Sequence, residues 1–150
     1  MDRPFERVHT VVEYYDGPRL GVADFDGAPH VYRSLWLDAE DEWDAERFEL
    51  APLAPDAFAI ALEDWAIWRR FERAYHAGEV QWSGDEREWG ALPEDRARQE
   101  ELRPALERAL TIDAARQFVV RGEFRAQEPV RADARPGVMH QLEVRWSPVE

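Results

Sequence analysis

Leu20–Leu37, LGVADFDGAPHVYRSLWL, decides the fold class. Asp26-Gly27 lies between two apolar-rich runs. Both residues accept the positive φ of a type I′ turn, so the segment predicts a tight antiparallel hairpin. The register implied by such a turn sets Phe25 opposite Ala28, Val22 opposite Val31 and Gly21 opposite Tyr32. An aromatic ring laid over a strand glycine is a stabilising pair. Pro29 cannot donate to a ladder, which predicts an edge position or one outside the pairing.

Outward from the hairpin, the same alternation recurs. Residues 5–15, FERVHTVVEYY, predict a strand with Val8, Thr10, Val12 and Tyr14 on one face and Phe5, His9, Val11 and Tyr15 on the other. Asp16-Gly17-Pro18 ends it. Residues 47–53, RFELAPL, predict a short strand with Phe48 and Leu50 on one side. Near the C-terminus, Phe118, Val120 and Phe124 alternate with Arg121, Glu123 and Arg125, and 138–146 alternates likewise through Val138, His140, Leu142, Val144 and Trp146. These two segments predict an antiparallel pair joined by the polar loop EPVRADARPG.

Between the two strand groups lies Pro55–Gly78, the longest periodic segment. Phe58, Ala61, Leu62, Trp65, Trp68, Phe71 and Tyr75 recur every three or four residues and form one stripe of an α-helix. Pro55 suits the first turn, Asp56 favours the positive end of the helix dipole, and Gly78 is a natural stop. Each fully buried Trp or Phe contributes about 2–3 kcal/mol, which predicts this helix as the centre of the core. A second helical stretch runs from Leu92 to about Leu110, with Leu102, Leu106, Ala109 and Leu110 on its buried face. Pro104 interrupts it, and an interior proline costs about 3 kcal/mol, so a bend near Arg103 or two short helices is expected. Trp82 and Trp89 are expected to pin the connection at 79–92.

The order β-β-β-β-α-α-β-β predicts a single α+β domain over residues 1–150. Its antiparallel sheet has about five or six strands, with the long amphipathic helix and the kinked second helix on one face. No Gly-rich phosphate loop is present.

Composition narrows the function classes. The 150 residues include no cysteine, which excludes disulfides and thiolate metal sites. No apolar run reaches the 18 or so residues of a membrane span, and MDRPFERVH has no signal-like apolar region, so a cytoplasmic protein without membrane contact is expected. All 19 basic residues are arginine. The net charge is −13, and it arises entirely before residue 112: 26 acids and 13 arginines there, six of each after it. This balance disfavours nucleic-acid binding through a basic face and suits a basic protein partner.

Chemistry-bearing clusters are sparse. Tyr14, Tyr15, Asp16, Arg19, Asp24 and His30 gather around the first strand and the hairpin. Tyr14, Asp24 and His30 are the candidate catalytic groups, because a carboxylate beside an imidazole orients a general base. Asp24 and Asp26 lack a third acidic ligand for a cation. Glu72 and His76 are four apart on the helix and form the candidate metal pair, although a metal site takes three or four ligands. Serines are few and none lies in GxSxG. His140 reads as a satisfied core histidine. No cofactor is expected.

The acidic run DAEDEWDAE at 38–46, read as a loop or solvated turn, carries Trp43 in its middle, which either folds back to cap the core or stands as an exposed anchor for a partner. Glu40, Asp41, Glu42, Trp43 and Asp44 are the expected partner-binding residues of a non-enzymatic interaction or inhibitor/immunity-type module. The alternative is a small-molecule-binding domain or enzyme with a pocket between sheet and central helix, lined by Trp65 and Trp68 with Tyr14, Asp24 or His30 as polar groups. A third possibility is a subunit that dimerises through a sheet edge. Oligomeric state is left open.

Overall fold

The structure, a computed structural model, describes residues 2–127 and 141–149. Four strands come first: β1 (Glu6–Tyr14), β2 (Pro18–Phe25), β3 (Ala28–Leu37) and β4 (Glu42–Pro52). Two helices come next, α1 (Pro55–His76) and α2 (Arg96–Ala109), then β5 (Phe118–Ala126) and β6 (Leu142–Pro148). Each strand pairs antiparallel with the next, and β6 returns to β1, so the six strands close into a barrel. The α+β class and the antiparallel sheet are as expected, and closure is the new feature. Pro29 sits inside the β2–β3 pairing opposite Asp24 rather than at an edge, and the pairing that closes the barrel spans Glu6 and Arg7 with Val144 and Glu143. The polar loop after Gln127, Val138 and the core assignment of His140 lie outside the described residues.

The hairpin forms in the expected register, with Gly21 opposite Tyr32 and Phe25 opposite Ala28. Asp26 and Gly27 adopt φ of 53° and 78°, the two positive values that a type I′ turn needs. Glu6 reaches across from β1 to accept the Asp26 and Gly27 amides at 3.2 and 2.7 Å. A Cβ on Gly21 would lie 2.2 Å from the Thr10 carbonyl oxygen and 2.6 Å from the Tyr32 hydroxyl, so no side chain fits there. The Tyr32 phenol, buried and therefore with its pKa pushed up, donates to that carbonyl at 2.9 Å.

Gly122 on β5 repeats the device. It pairs with Trp146, and a Cβ there would meet the Trp146 ring at 2.7 Å and Phe48 at 3.1 Å. The Trp146 indole N–H donates to the Asp24 carbonyl at 2.8 Å, satisfying its one polar atom. Tyr32, Phe48, Phe124 and Trp146 therefore meet at the barrel axis, with neighbouring ring centroids 5.3–6.3 Å apart. Such separations suit edge-to-face contacts. The centre of the core is this interior rather than the stripe of α1, the centre expected from the sequence.

β1 departs from simple alternation. Register shifts fall between Val8 and Thr10 and between Val11 and Glu13. Val8 and Val11, three apart, are both buried in the barrel cluster, whereas Val12 is 41% exposed. A bulge inserts an extra residue and so reverses the face of the residues beyond it. Thr10 accepts the Val22 amide on its hydroxyl at 3.0 Å, keeping that amide satisfied beside the irregularity.

The helices lie outside the barrel beside β1. Pro55 opens α1 and Asp56 lies in its first turn, while Gly78 ends it with φ 76°. The helix contacts two neighbours, so its buried surface is split. Phe58 meets His9 edge-on at 4.9 Å, and Trp65 packs on the barrel cluster. Ile67 is buried with Ala91 and Leu102 against α2. Leu62 and Tyr75, expected in the stripe, are exposed. Arg70 grips Asp95 at 2.9 and 3.1 Å, and Arg98 grips Glu63 at 2.5 and 2.8 Å, tying the helical layer together. α2 runs as one helix through Pro104, so of the two expected forms, a bend near Arg103 or two short helices, the second does not occur.

Candidate functional site

Three places concentrate chemistry. The first is the barrel end where the β1–β2 and β3–β4 turns meet. The acidic run is only partly a loop, because β4 begins at Glu42 and so includes Trp43 and Asp44. Trp43 pairs across the ladder with Trp36, their rings edge to face at 5.0 Å. Such cross-strand aromatic pairs stabilise a strand that is otherwise poor in β-formers. Trp36 stays 46% exposed and Tyr15 73% exposed, and Glu40, Asp41 and Glu42 are solvated beside them. Tyr15, Asp16, Trp36, Asp41, Glu42 and Trp43 line a groove of about 550 Å³, with Glu40 in the adjoining turn.

Asp44 faces inward. Burial pushes its carboxyl up, but the Glu46 and Arg47 amides at 2.9 and 3.0 Å and the Arg47 guanidinium at 2.5 Å outweigh that and hold it below the ordinary carboxylate value. Both its oxygens are engaged, so it adds no free charge to the rim. Arg19 fastens the same end from within. It is buried and donates to the carbonyls of Tyr15, Asp16 and Asp44 at 2.7, 2.9 and 3.1 Å and to the Ser34 hydroxyl at 3.3 Å. The sequence placed Arg19 near this cluster but gave no sign that it would be an internal clamp.

The second place is the expected catalytic cluster, which the fold takes apart. Asp24 pairs with Pro29 and Ala23 with His30, so Asp24 and His30 project to opposite faces. His30 is buried, with Nδ1 2.8 Å from the Ala28 carbonyl and its ring against Phe25 and Phe118. Tyr14 is exposed at the end of β1. The imidazole that meets Asp24 is His9, at 2.8 Å. The Val8–Ala23 pairing brings them together, which becomes readable once the β1–β2 register is known. Among the described residues no hydroxyl hydrogen-bonds this pair, and Phe58 covers the ring. Glu72 is buried and ion-paired to Arg69, and no group of three metal-ligating side chains occurs among the described residues.

The third place is a cleft of about 380 Å³ between the outer side of β1 and the helices. Trp65 and Trp68 line it, as expected of a pocket there, and so does Tyr14; Asp24 and His30 do not. Trp89 closes one wall, its ring 6.0 Å from Trp68. Gly90, at φ 96°, lets the chain turn beside them, and the Gln99 amide donates to its carbonyl at 3.4 Å. Asp64 also lines the cleft. Burial pushes its carboxyl above the ordinary value, against the opposing pull of Arg103. Trp82 and Trp89 do pin the connection: their rings are 5.0 Å apart, and the Trp82 indole donates to the Asp85 carbonyl at 2.8 Å.

Comparison with family models, curated proteins and solved structures finds no match to this chain. No helix among the described residues is long and apolar enough to cross a membrane.

Proposed function

We propose that this chain is a non-catalytic binding protein of the inhibitor or immunity type, which captures a basic partner protein through the acidic, aromatic end of its barrel. Trp36 and Trp43 are the anchors, Tyr15 widens the contact, and Asp16, Glu40, Asp41 and Glu42 form the charged rim. The observation that carries this reading is the Trp36–Trp43 pair, with Trp36 46% exposed and Trp43 partly buried, beside the most acidic turn of the chain. Large aromatics ringed by charge are the usual composition of interface hot spots. The filled barrel and the dispersed titratable groups favour recognition over catalysis.

The test is capture of partners from host lysate on immobilised wild-type protein and on Trp36→Ala and Trp43→Ala variants of verified fold. A stoichiometric basic partner should bind the wild type, weaken with salt and lose at least about tenfold in affinity with either variant. Single rim substitutions such as Glu42→Gln should act mainly on association rate and salt dependence. A partner indifferent to both tryptophans overturns the assignment of this surface.

A further inference from the structure

The cleft between β1 and the helices shares no lining residue with the groove at that barrel end. Its walls are aromatic, from Trp65, Trp68, Trp89 and Tyr14, and Asp64 stands among them as an acidic group. We propose that this cleft is a binding site for a small organic cation, an ammonium carried on a compact apolar body, with Asp64 as its counter-ion and the indoles as its walls.

Three observations converge on that ligand class. The cleft volume falls within the ~300–1,000 Å³ range of small-molecule sites. Indole faces attract cations through their ring quadrupole, and the attraction grows when water is excluded. No described residue donates a hydrogen bond to Asp64, and the nearby Arg103 forms no ion pair with it. Charge on a half-buried carboxylate without donors carries a desolvation cost, and an incoming ammonium relieves that cost. An anion would meet Asp64 as a like charge, and a wholly apolar ligand would bury the carboxylate unpaired. A hard metal ion would take further carboxylates, and Asp64 is the one acid among the described lining residues.

Gly90 carries the chain past the Trp68 ring with φ 96°. Val12 and Tyr14 on β1 remain exposed along the opposite side.

The experiment uses the full chain, with phenyltrimethylammonium as probe and benzenesulfonate as its anionic counterpart, and tracks the indole N–H signals by NMR. The cation should shift the Trp65, Trp68 and Trp89 signals saturably, and benzenesulfonate should not. Asp64→Asn preserves shape and should weaken binding about tenfold or more, the scale of losing a partly desolvated charge contact. As a second variant, Val12→Arg sets a tethered guanidinium at the mouth and should compete with the probe. Four outcomes overturn the proposal: no saturable shift at about 50 mM probe, equal affinity in Asp64→Asn, comparable binding of benzenesulfonate, or shifts at Trp36 and Trp43 instead. The last would reveal general attraction to the acidic barrel end.

Discussion

The barrel and the helical layer are both rich in aromatic side chains, yet they use them in opposite ways. Inside the barrel, Tyr32 and Trp146 lie over Gly21 and Gly122, and both rings are fully buried. In the helical layer, Trp68, Phe71, Tyr75, Trp82 and Trp89 form a chain of ring contacts, but Tyr75, Trp82 and Trp89 keep 38–45% of their surface in water. The first arrangement closes on itself because each ring fills the space that a side chain on the facing glycine would take. The second has nothing overhead and ends in a cleft. The same residue type thus serves as filling in one place and as wall in the other, and the difference lies in what stands opposite.

The largest effect expected from breaking this contrast is at Gly21. Gly21→Ala drives a methyl into a backbone carbonyl that cannot withdraw, and it should cost at least about 3 kcal/mol or prevent folding. Gly90→Ala in the helical layer meets ordinary contacts and only the penalty of its positive φ, about 1–2 kcal/mol. Urea denaturation of the two variants measures both, and equal costs would remove the distinction between filling and wall.

Truncating the rings comes next. Trp146→Ala should cost about 3–5 kcal/mol, whereas Trp82→Ala should cost under about 1 kcal/mol. Thermal unfolding by circular dichroism separates these readily.

The smallest effect is the most diagnostic, because its sign differs between regions. Asp44 has a depressed native pKa, so its stabilisation is complete above the ordinary carboxyl value of 3.8 and fades as pH falls through the native value. Asp64 has a raised native pKa, so ionising it costs stability as pH rises from 3.8 through the native value. Asp44→Asn should therefore lower the melting temperature at pH 7, and Asp64→Asn should raise it. Both differences should shrink below pH 3.8. A gain in stability at Asp64 joined to a loss of cation binding is what a functional carboxylate shows.

The sequence made the hairpin legible down to its register because Asp26-Gly27 carries turn chemistry within two residues. Gly122 opposite Trp146 rests on the same physics and went unread. Its register depends on a long connection rather than a two-residue turn. Barrel closure had no local sign at all. It rests on Glu6 with Val144 and Arg7 with Glu143, pairs that nothing near either segment announces. The faces of β1 were misassigned because bulges break a period of two without leaving a trace in composition. The stripe of α1 assumed one buried face, whereas a helix wedged between a barrel and a second helix buries two, which explains Ile67 inside and Leu62 outside. Of the candidate residues, Trp65, Trp68 and Tyr14 do come together at one cleft, while Asp24 and His30 were separated by strand alternation. Asp64 was overlooked as one acid among many on the helix surface.

The insertion of both helices between β4 and β5 has a consequence for how the chain is made. The first four strands pair through short turns and come off the ribosome first, so they form an open sheet with low loop-closure cost. Its inner face, with Tyr32, Phe48 and Leu50, stays wet until β5 and β6 arrive more than 60 residues later. During that interval both β1 and β4 are unpaired edges. The contacts that finish the barrel join the two ends of the chain, the slowest kind to form. The protein is therefore expected to be most exposed to aggregation as a nascent chain, before its last strand is released.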